Sequence, residues 1–351
     1  MLEYGCGNGA VSAAFAPLAE RYIGIDIDQL QVDVAERILA EQGLSPTLVV
    51  ASPERVLEAT AEFSGEIDVF LCYAVLEHLS VDERLTLLRL ARDVVRPDGI
   101  IVVVETPNRL TPWDYHTSQL PFLNQVPDEL ALAYADRSTR EEFTEALGQA
   151  AAQGPAALRE AFVRWGRGMS YHELELVFDD LPACVLASSW EPVLLPERAV
   201  YRAELALDRI LAAARPEMPP AFSRYWLDFI LAPAPRPAPR RFLRPWQLRT
   251  TGSAGVAYTA HETIYMSDRD SMLAIDLPNP ASRIVVGIEG AGEDELWIRL
   301  RTPDGSEEIE AQVQSTDDWA SHAEITLSEP VGDLELRLSR PGTVGYVLHD
   351  A

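Results

Sequence analysis

The chain contains no lysine: its 29 basic residues are all arginine, set against 55 acidic residues for a formal net charge of −26. A field of that sign repels a phosphate backbone, which argues against nucleic acid as a partner unless a local arginine patch overrides it. Cysteine is scarce too. Cys6, Cys72 and Cys184 are odd in number and far apart, a pattern that fits neither a disulfide framework nor a zinc knuckle and leaves three buried thiols. No apolar run approaches the ~20 residues that a bilayer requires. No basic segment runs into an apolar one at the start, so neither insertion nor export is indicated and the cytoplasm is the default compartment.

What is present suits two domains: 351 residues, 47% of them hydrophobic, exceed a usual single domain. The most informative stretch is the first line. Leu2-Glu3-Tyr4 leads into Gly5-Cys6-Gly7-Asn8-Gly9 and an Ala-rich helical stretch, then Tyr22-Ile23-Gly24-Ile25-Asp26. A short apolar strand entering alternate glycines lets backbone approach a nucleoside-bearing ligand without Cβ atoms in the way. Asp26, at the end of the next strand, stands where an acid accepts ribose hydroxyls. The spacing is G-x-G-x-G and lacks the G-x-x-G step of the dinucleotide fingerprint, which disfavours an NAD-dependent oxidoreductase. Helical stretches near 9–19, 29–42 and 81–95 alternate with apolar runs at 22–26, 47–51, 67–73 and 100–104, the rhythm of a buried, mainly parallel, doubly wound α/β sheet. Asp28 and Ser80 stand at N-cap positions, and Pro97-Asp98-Gly99 turns the chain into the fifth strand.

These motifs resemble the class I S-adenosylmethionine (SAM) methyltransferases: residues 2–9, Gly24-Ile25-Asp26, the run Asp68 to Leu79 and Val95-Arg96-Pro97-Asp98-Gly99 fall in the family's order. Thr106 to Pro112 is similar to a bacterial small-molecule subgroup, and the resemblance spans about residues 1–190. It implies a Rossmann-like methyltransferase sheet with SAM as cofactor. Gly5, Cys6, Gly7 and Gly9 would pass under the methionine part and ribose, with Glu3 near the ammonium group and Asp26, beside Ile27, on the ribose. The acid that commonly meets adenine after the third strand is missing, so Ser52 must serve or Glu54 must reach back. Tyr73 to Leu76 would wall the sulfonium, with Glu77 and His78 at the mouth. The family's first strand usually starts several residues earlier, behind one or two helices. Only Met1 and Leu2 stand there, so the chain reads as truncated at its start rather than completed from elsewhere.

Methyl transfer is an in-line displacement for which a dedicated base is optional. For a hydroxyl acceptor, a neutral histidine is the natural proton acceptor. His116 is the first candidate, in the loop 106–116 that leaves the fifth strand with Trp113 and Tyr115; Asp114 or Glu105 would orient it. His78, at the mouth, is also placed at the acceptor. His172 is the second candidate base, but Ser170-Tyr171-His172-Glu173 reads as a capping box, which makes Ser170 and Glu173 helix-start residues. No metal site is expected. Residues 106–168 read as a helical lid, 191–231 as a helical extension with helices over 198–214 and 221–231, and 232–249 as a Pro-rich linker. Residues 250–351 read as short strands of a β-sandwich. Its role is oligomerisation or packing, or glycan binding through Trp297 or Trp319. The expected function is methylation of a small-molecule acceptor at oxygen, and the rival is a non-catalytic methyltransferase-like protein serving as a glycan-binding or assembly module.

Overall fold

The computed structural model describes the chain apart from residues 53–54, 61–62, 64, 189–201, 216, 237–240, 244–248, 251–255, 259–263, 268–270, 290–295, 316–320 and 350–351. It divides into two compact units, Met1–Ser189 with Ala206–Arg236, and Trp190–Leu205 with Pro237–Ala351.

The first unit is built on β1 (Leu2–Tyr4), β2 (Ile23–Asp26), β3 (Thr47–Val50), β4 (Ile67–Tyr73), β5 (Val95–Pro107), β6 (Val185–Ser188) and β7 (Trp226–Leu231). Their order across the sheet is β3-β2-β1-β4-β5-β7-β6. All neighbours from β3 to β5 are parallel, whereas β7 runs antiparallel between β5 and β6. Helices α1 (Ser12–Phe15), α2 (Gln29–Glu41), α3 (Val56–Thr60) and α4 (Val81–Val94) connect the first five strands. Both expected caps form: Asp28 accepts from Leu30 N at 2.8 Å, and Ser80 and Glu83 close a capping box. The run expected to be helical over 9–19 holds only the short α1 and a 3₁₀ turn at Ala16–Leu18.

After β5 the chain inserts α5 (Asp128–Tyr134), α6 (Glu141–Gln153) and α7 (Pro155–Trp165), which bury Phe143, Leu147 and Phe162 in a core of their own. The base of this insertion is pinned shut, with Arg109 N donating to Met169 O at 2.8 Å and Met169 N to Pro107 O at 2.9 Å. Short helices α8 (Tyr171–Glu175) and α9 (Leu181–Cys184) lead to β6, and α10 (Arg202–Ala214) precedes β7. The predicted capping box at Ser170 and Glu173 opens α8. The helix expected over 221–231 is a correction: after a 3₁₀ turn at Pro220–Ser223 this run is the strand β7. A largely apolar run reads alike as either element, and here the free edge of β5 decides.

Residues 232–236, expected to belong to a linker, dock on the first unit: Ala232 N donates to Cys184 O at 2.8 Å, and Arg236 Nη2 to Gly99 O at 2.8 Å. The second unit holds β8 (Arg241–Leu243), β9 (Arg249–Thr250), β10 (Val256–Tyr258), β11 (Ile264–Met266), β12 (Leu273–Glu289), β13 (Trp297–Arg301), β14 (Glu308–Gln312), β15 (Gln314–Ser315), β16 (Ser321–Leu338) and β17 (Gly342–His349). They form one antiparallel ten-stranded sheet. The long β12 and β16 pair in two stretches, Leu273–Asp276 with Asp333–Leu336 and Arg283–Ile288 with Ser321–Thr326, with irregular register between them. The β domain therefore starts before residue 250. Trp297 is half exposed, and Trp319 lies outside the described residues. No described helix is long and apolar enough to cross a membrane.

Asn108 joins the end of β5 to the approach to β7. It is 2% exposed, and its Nδ2 donates to Phe222 O and Arg224 O, both at 2.8 Å, while its Oδ1 accepts from Leu110 N at 2.9 Å. Asn108→Ala orphans three buried backbone groups and is expected to cost about 3 kcal/mol, read as a lower urea midpoint with an unchanged m-value.

Candidate active site

The strand order reverses between β1 and β4, so their crossovers leave the sheet in opposite directions and open a crevice at their carboxyl ends. The glycine turn lies there. Gly5, Gly7 and Gly9 have φ of 81, 50 and 76°. A Cβ on Gly5 would stand 2.5 Å from Val75 Cγ2, and one on Gly9 3.0 Å from Ala35, whereas one on Gly7 would meet nothing within 4 Å. Packing therefore demands the outer two glycines, and the middle one borders open space. Asp26, half-buried at the end of β2, ties the turn down: Oδ2 accepts from Gly7 N at 2.8 Å and Oδ1 from Asp28 N at 3.0 Å. Ile27 and Val50 leave 56% and 41% of their surface exposed at the ends of β2 and β3, an apolar rim suited to a flat heterocycle. Ser52 contributes its carbonyl to the start of α3, and Glu54 lies outside the described residues.

Three expected cofactor residues are placed differently. Glu3 is 2% exposed, and its Oε2 accepts from Ser12 Oγ at 2.7 Å and from the Tyr22 hydroxyl. Burial raises its pKa, partly offset by those donors. It braces the turn from beneath. Leu76 is wholly buried in the main core, and Val75 is the residue that abuts Gly5. Cys6 is buried against the turn, its thiol pushed up to about 12 by burial. Tyr73 is half-buried at the end of β4. Next to it, Ala74 has a φ of 49°, and Glu105 on β5 has 58°. Left-handed backbone costs non-glycine residues roughly 1 kcal/mol or more, and here it bends both strand ends.

Beyond these bends the two candidate histidines meet. His78 Nε2 lies 3.6 Å and His116 Nε2 3.7 Å from the same oxygen, Glu77 Oε1. Their rings are 5.4 Å apart between centroids. Glu77 is not at the mouth as expected: it is completely buried, and neither of its oxygens has a hydrogen-bond partner among the described residues. Burial pushes its carboxyl up to about 8, against smaller downward pulls from its own backbone amide and then from the Arg84 guanidinium. Burial, reinforced by His78, lowers His116 to about 4, and burial lowers His78 too. One ligand atom from each of Glu77, His78 and His116 falls within 4.8 Å of the others, so the three could hold a metal ion.

The surroundings fix both rings. His78 Nδ1 is 2.7 Å from Arg164 O, so it carries the proton and leaves Nε2 with a lone pair. His116 Nδ1 is 2.9 Å from Thr117 Oγ1, whose own proton goes to Gly166 O at 2.8 Å. The hydroxyl must then accept from Nδ1–H, and His116 Nε2 is likewise bare. Gly166 makes room for this: at its φ of 119°, a Cβ would stand 2.7 Å from His116 Nδ1. Asp114, expected to orient His116, is spent on its own loop, accepting from Thr117 N, Ser118 N and Ser118 Oγ. A cavity of about 350 Å³ faces the pair, lined by His78, His116, Arg140, Ala161, Arg164 and Trp165. Arg164 is gripped by Glu83 at 2.7 and 2.8 Å and returns a bond to His78 O at 2.8 Å. Sequence reasoning missed Arg140, Arg164, Thr117 and Gly166, whose roles arise from contacts between distant segments. Only the Ser80/Glu83 capping box left a local trace.

A family model described as a methyltransferase domain matches residues 1–99. The chain is 30% identical over 102 residues to the ubiquinone biosynthesis O-methyltransferase of Actinobacillus pleuropneumoniae serotype 7, covering 29% of this chain and 43% of that protein. It is 34% identical over 109 residues to the protein of the same name from Caulobacter vibrioides, covering 31% and 41%. The chain thus spans less than half the length of these curated relatives. An S-adenosylmethionine-dependent methyltransferase structure from Clostridium acetobutylicum matches 33% of this chain and 46% of its own at 15% identity, with a TM-score of 0.29. The early part of the chain, residues 1–99, is thus similar to a methyltransferase domain.

The Glu83–Arg164 pair yields a pH test. Burial raises the Glu83 carboxyl, but Arg164 and Ser80 outweigh it and hold the group below its ordinary 4.5. A carboxylate depressed in the fold stabilises above its unfolded pKa and loses that contribution as pH falls through the folded one. Glu83→Gln is expected to lower stability by about 1–2 kcal/mol at neutral pH, a figure that allows for the partial exposure of Arg164. In chemical denaturation the gap from the parent chain should narrow as pH falls below the carboxyl's ordinary 4.5 and close once the lower folded value is passed.

Proposed function

We propose that the protein transfers the methyl group of SAM to a hydroxyl of a small-molecule acceptor seated in the histidine cavity. The observation that carries this reading is the convergence of two bare imidazole nitrogens, 3.6 and 3.7 Å from Glu77 Oε1, at the strand ends that also carry the glycine turn. The turn fits the cofactor: Gly7 borders open space, Asp26 still offers a half-exposed carboxylate, and Ile27 and Val50 supply an apolar rim. When bound, SAM supplies an electrophilic methyl on a sulfonium.

The protein's part is then to hold the acceptor in line and to take one proton. As the methyl carbon leaves sulfur for the acceptor oxygen, the hydroxyl proton becomes strongly acidic, so a histidine whose basicity burial has lowered still accepts it. His116 and His78 each present Nε2 for this. Arg140 on the cavity wall, whose hydrogen-bond partners among the described residues are backbone carbonyls and not acids, favours an acceptor bearing an acidic group. The name that the curated relatives carry, O-methyltransferase, supports oxygen as the site. The insertion carrying α5 to α7 supplies Arg140, Arg164 and Trp165 and so forms the lid over the acceptor.

Calorimetry with S-adenosylhomocysteine should give micromolar binding that Asp26→Ala weakens at least about tenfold, an expected loss of roughly 1.4 kcal/mol. A folded chain that binds none sinks the cofactor assignment. Against an acceptor found by screening hydroxylated acids, Gly166→Ala should leave homocysteine-product affinity intact and lower kcat at least about tenfold through displaced His116.

A further inference from the structure

Glu77 presents an anomaly that methyl transfer by itself does not resolve. A native interior rarely leaves a carboxyl with both oxygens unpartnered, since desolvation without compensation costs several kcal/mol. Here the side chain is fully buried, and two histidine nitrogens stand 3.6 and 3.7 Å from Oε1, beyond hydrogen-bond reach. Both nitrogens carry lone pairs, because each Nδ1 spends its proton elsewhere. Three potential ligand atoms thus lie within 4.8 Å of one another.

We infer that Glu77, His78 and His116 form a binding site for a single divalent first-row transition-metal ion, with its remaining positions open to the cavity. Metal–nitrogen and metal–oxygen bonds of about 2.0–2.2 Å place donors on one face roughly 3–3.5 Å apart. The separations from Glu77 are 3.6 and 3.7 Å and all three donor atoms lie within 4.8 Å of one another, so binding an ion requires the two histidines to close around it. The outer contacts are those of a built site: a backbone carbonyl orients His78, and the Thr117 hydroxyl, itself fixed on Gly166 O, orients His116. Two imidazoles and one carboxylate suit zinc, iron, cobalt or manganese and do not suit calcium, which takes oxygen. The guanidiniums on the wall are turned to other partners, Arg164 to Glu83 and Glu160, and Arg140 to His116 O.

The ion site stands on the three donors alone; its consequence for the acceptor rests on the methyl-transfer reading. An ion held here takes the acceptor oxygen into its open positions, and the histidines then act on the hydroxyl through the metal instead of as free bases. The acceptor class narrows to molecules whose hydroxyl lies beside a second oxygen donor, able to chelate.

The test uses the full chain, stripped with chelator and titrated with Co²⁺ at neutral pH, with S-adenosylhomocysteine titrated separately. The expected result is one equivalent bound with visible d–d absorption from mixed nitrogen and oxygen ligation, and a melting temperature raised by Co²⁺. Glu77→Gln, which keeps side-chain shape, and His116→Ala should each weaken Co²⁺ binding about 100-fold and abolish the metal-induced thermal shift. Far-UV circular dichroism and retained homocysteine-product binding certify that the variants fold. Co²⁺ bound equally by parent and variants would mark adsorption to the acidic surface and overturn the site, as would no binding by the folded parent chain. Loss of S-adenosylhomocysteine binding with Co²⁺ binding intact would sink the methyl-transfer reading and leave the metal site standing.

Discussion

Because the crossovers from β1 and β4 leave the sheet on opposite sides, the carboxyl ends of these two strands are not roofed by a connecting segment. The chain uses that gap from both sides. On the β1 side the backbone comes close enough to β4 that Gly5 touches Val75, and Asp26 locks the turn by accepting from Gly7. On the β4 side the same contact sets where Leu76 to His78 must go, since the turn that follows Val75 has only the core and the cavity to choose between. Leu76 takes the core, and His78 is directed to the cavity.

The helical insertion depends on this arrangement and in turn completes it. Its base is closed by the backbone bonds of Pro107 and Arg109 to Met169, so its entry and exit leave the sheet together. Its far end is held to the β4 side by Glu83, which caps α4 and grips Arg164 at once. Between these two anchors, the crowding at Gly166 leaves His116 one place to lie. A site assembled this way places on its wall a positive group, Arg140, that pairs with no acid among the described residues, in a molecule with a net charge of −26. The excess of acid elsewhere repels anions from most of the surface, which makes that cavity wall a distinct attractor.

What the sequence disclosed follows from the range of the interactions involved. The glycine turn, Asp26, the strands at 23–26 and 67–73 and the caps at Asp28 and Ser80 were legible because each is specified within a few residues. Both histidines were legible as residue types near strand ends, yet their meeting was not, because it depends on the closed base of the insertion and on a single glycine. Strand β7 was illegible for another reason: Trp226–Leu231 is apolar but for Asp228, a pattern that fits a buried helix as well, and the vacant edge of β5 makes it a strand. Glu77 was placed at the mouth because acids are usually solvated, and its burial is the point where local expectation and global fold part.

That burial is not easily relieved by the rest of the structure. Glu77 O accepts from Arg167 N at 2.8 Å, so the backbone of this residue also secures the return of the insertion. Shifting Glu77 outward to hydrate its carboxyl would pull on that bond and on the neighbouring His78, whose ring and carbonyl are both held by Arg164. The residue is therefore fixed by its main chain in a position that its side chain, taken alone, disfavours. Fold stability alone gives no reason to keep an acid there, since an apolar side chain of similar volume would satisfy the packing at lower cost. A carboxyl held rigidly beneath two oriented lone pairs is accounted for by what binds above it, and strain of this kind is expected to concentrate where a protein acts on a ligand.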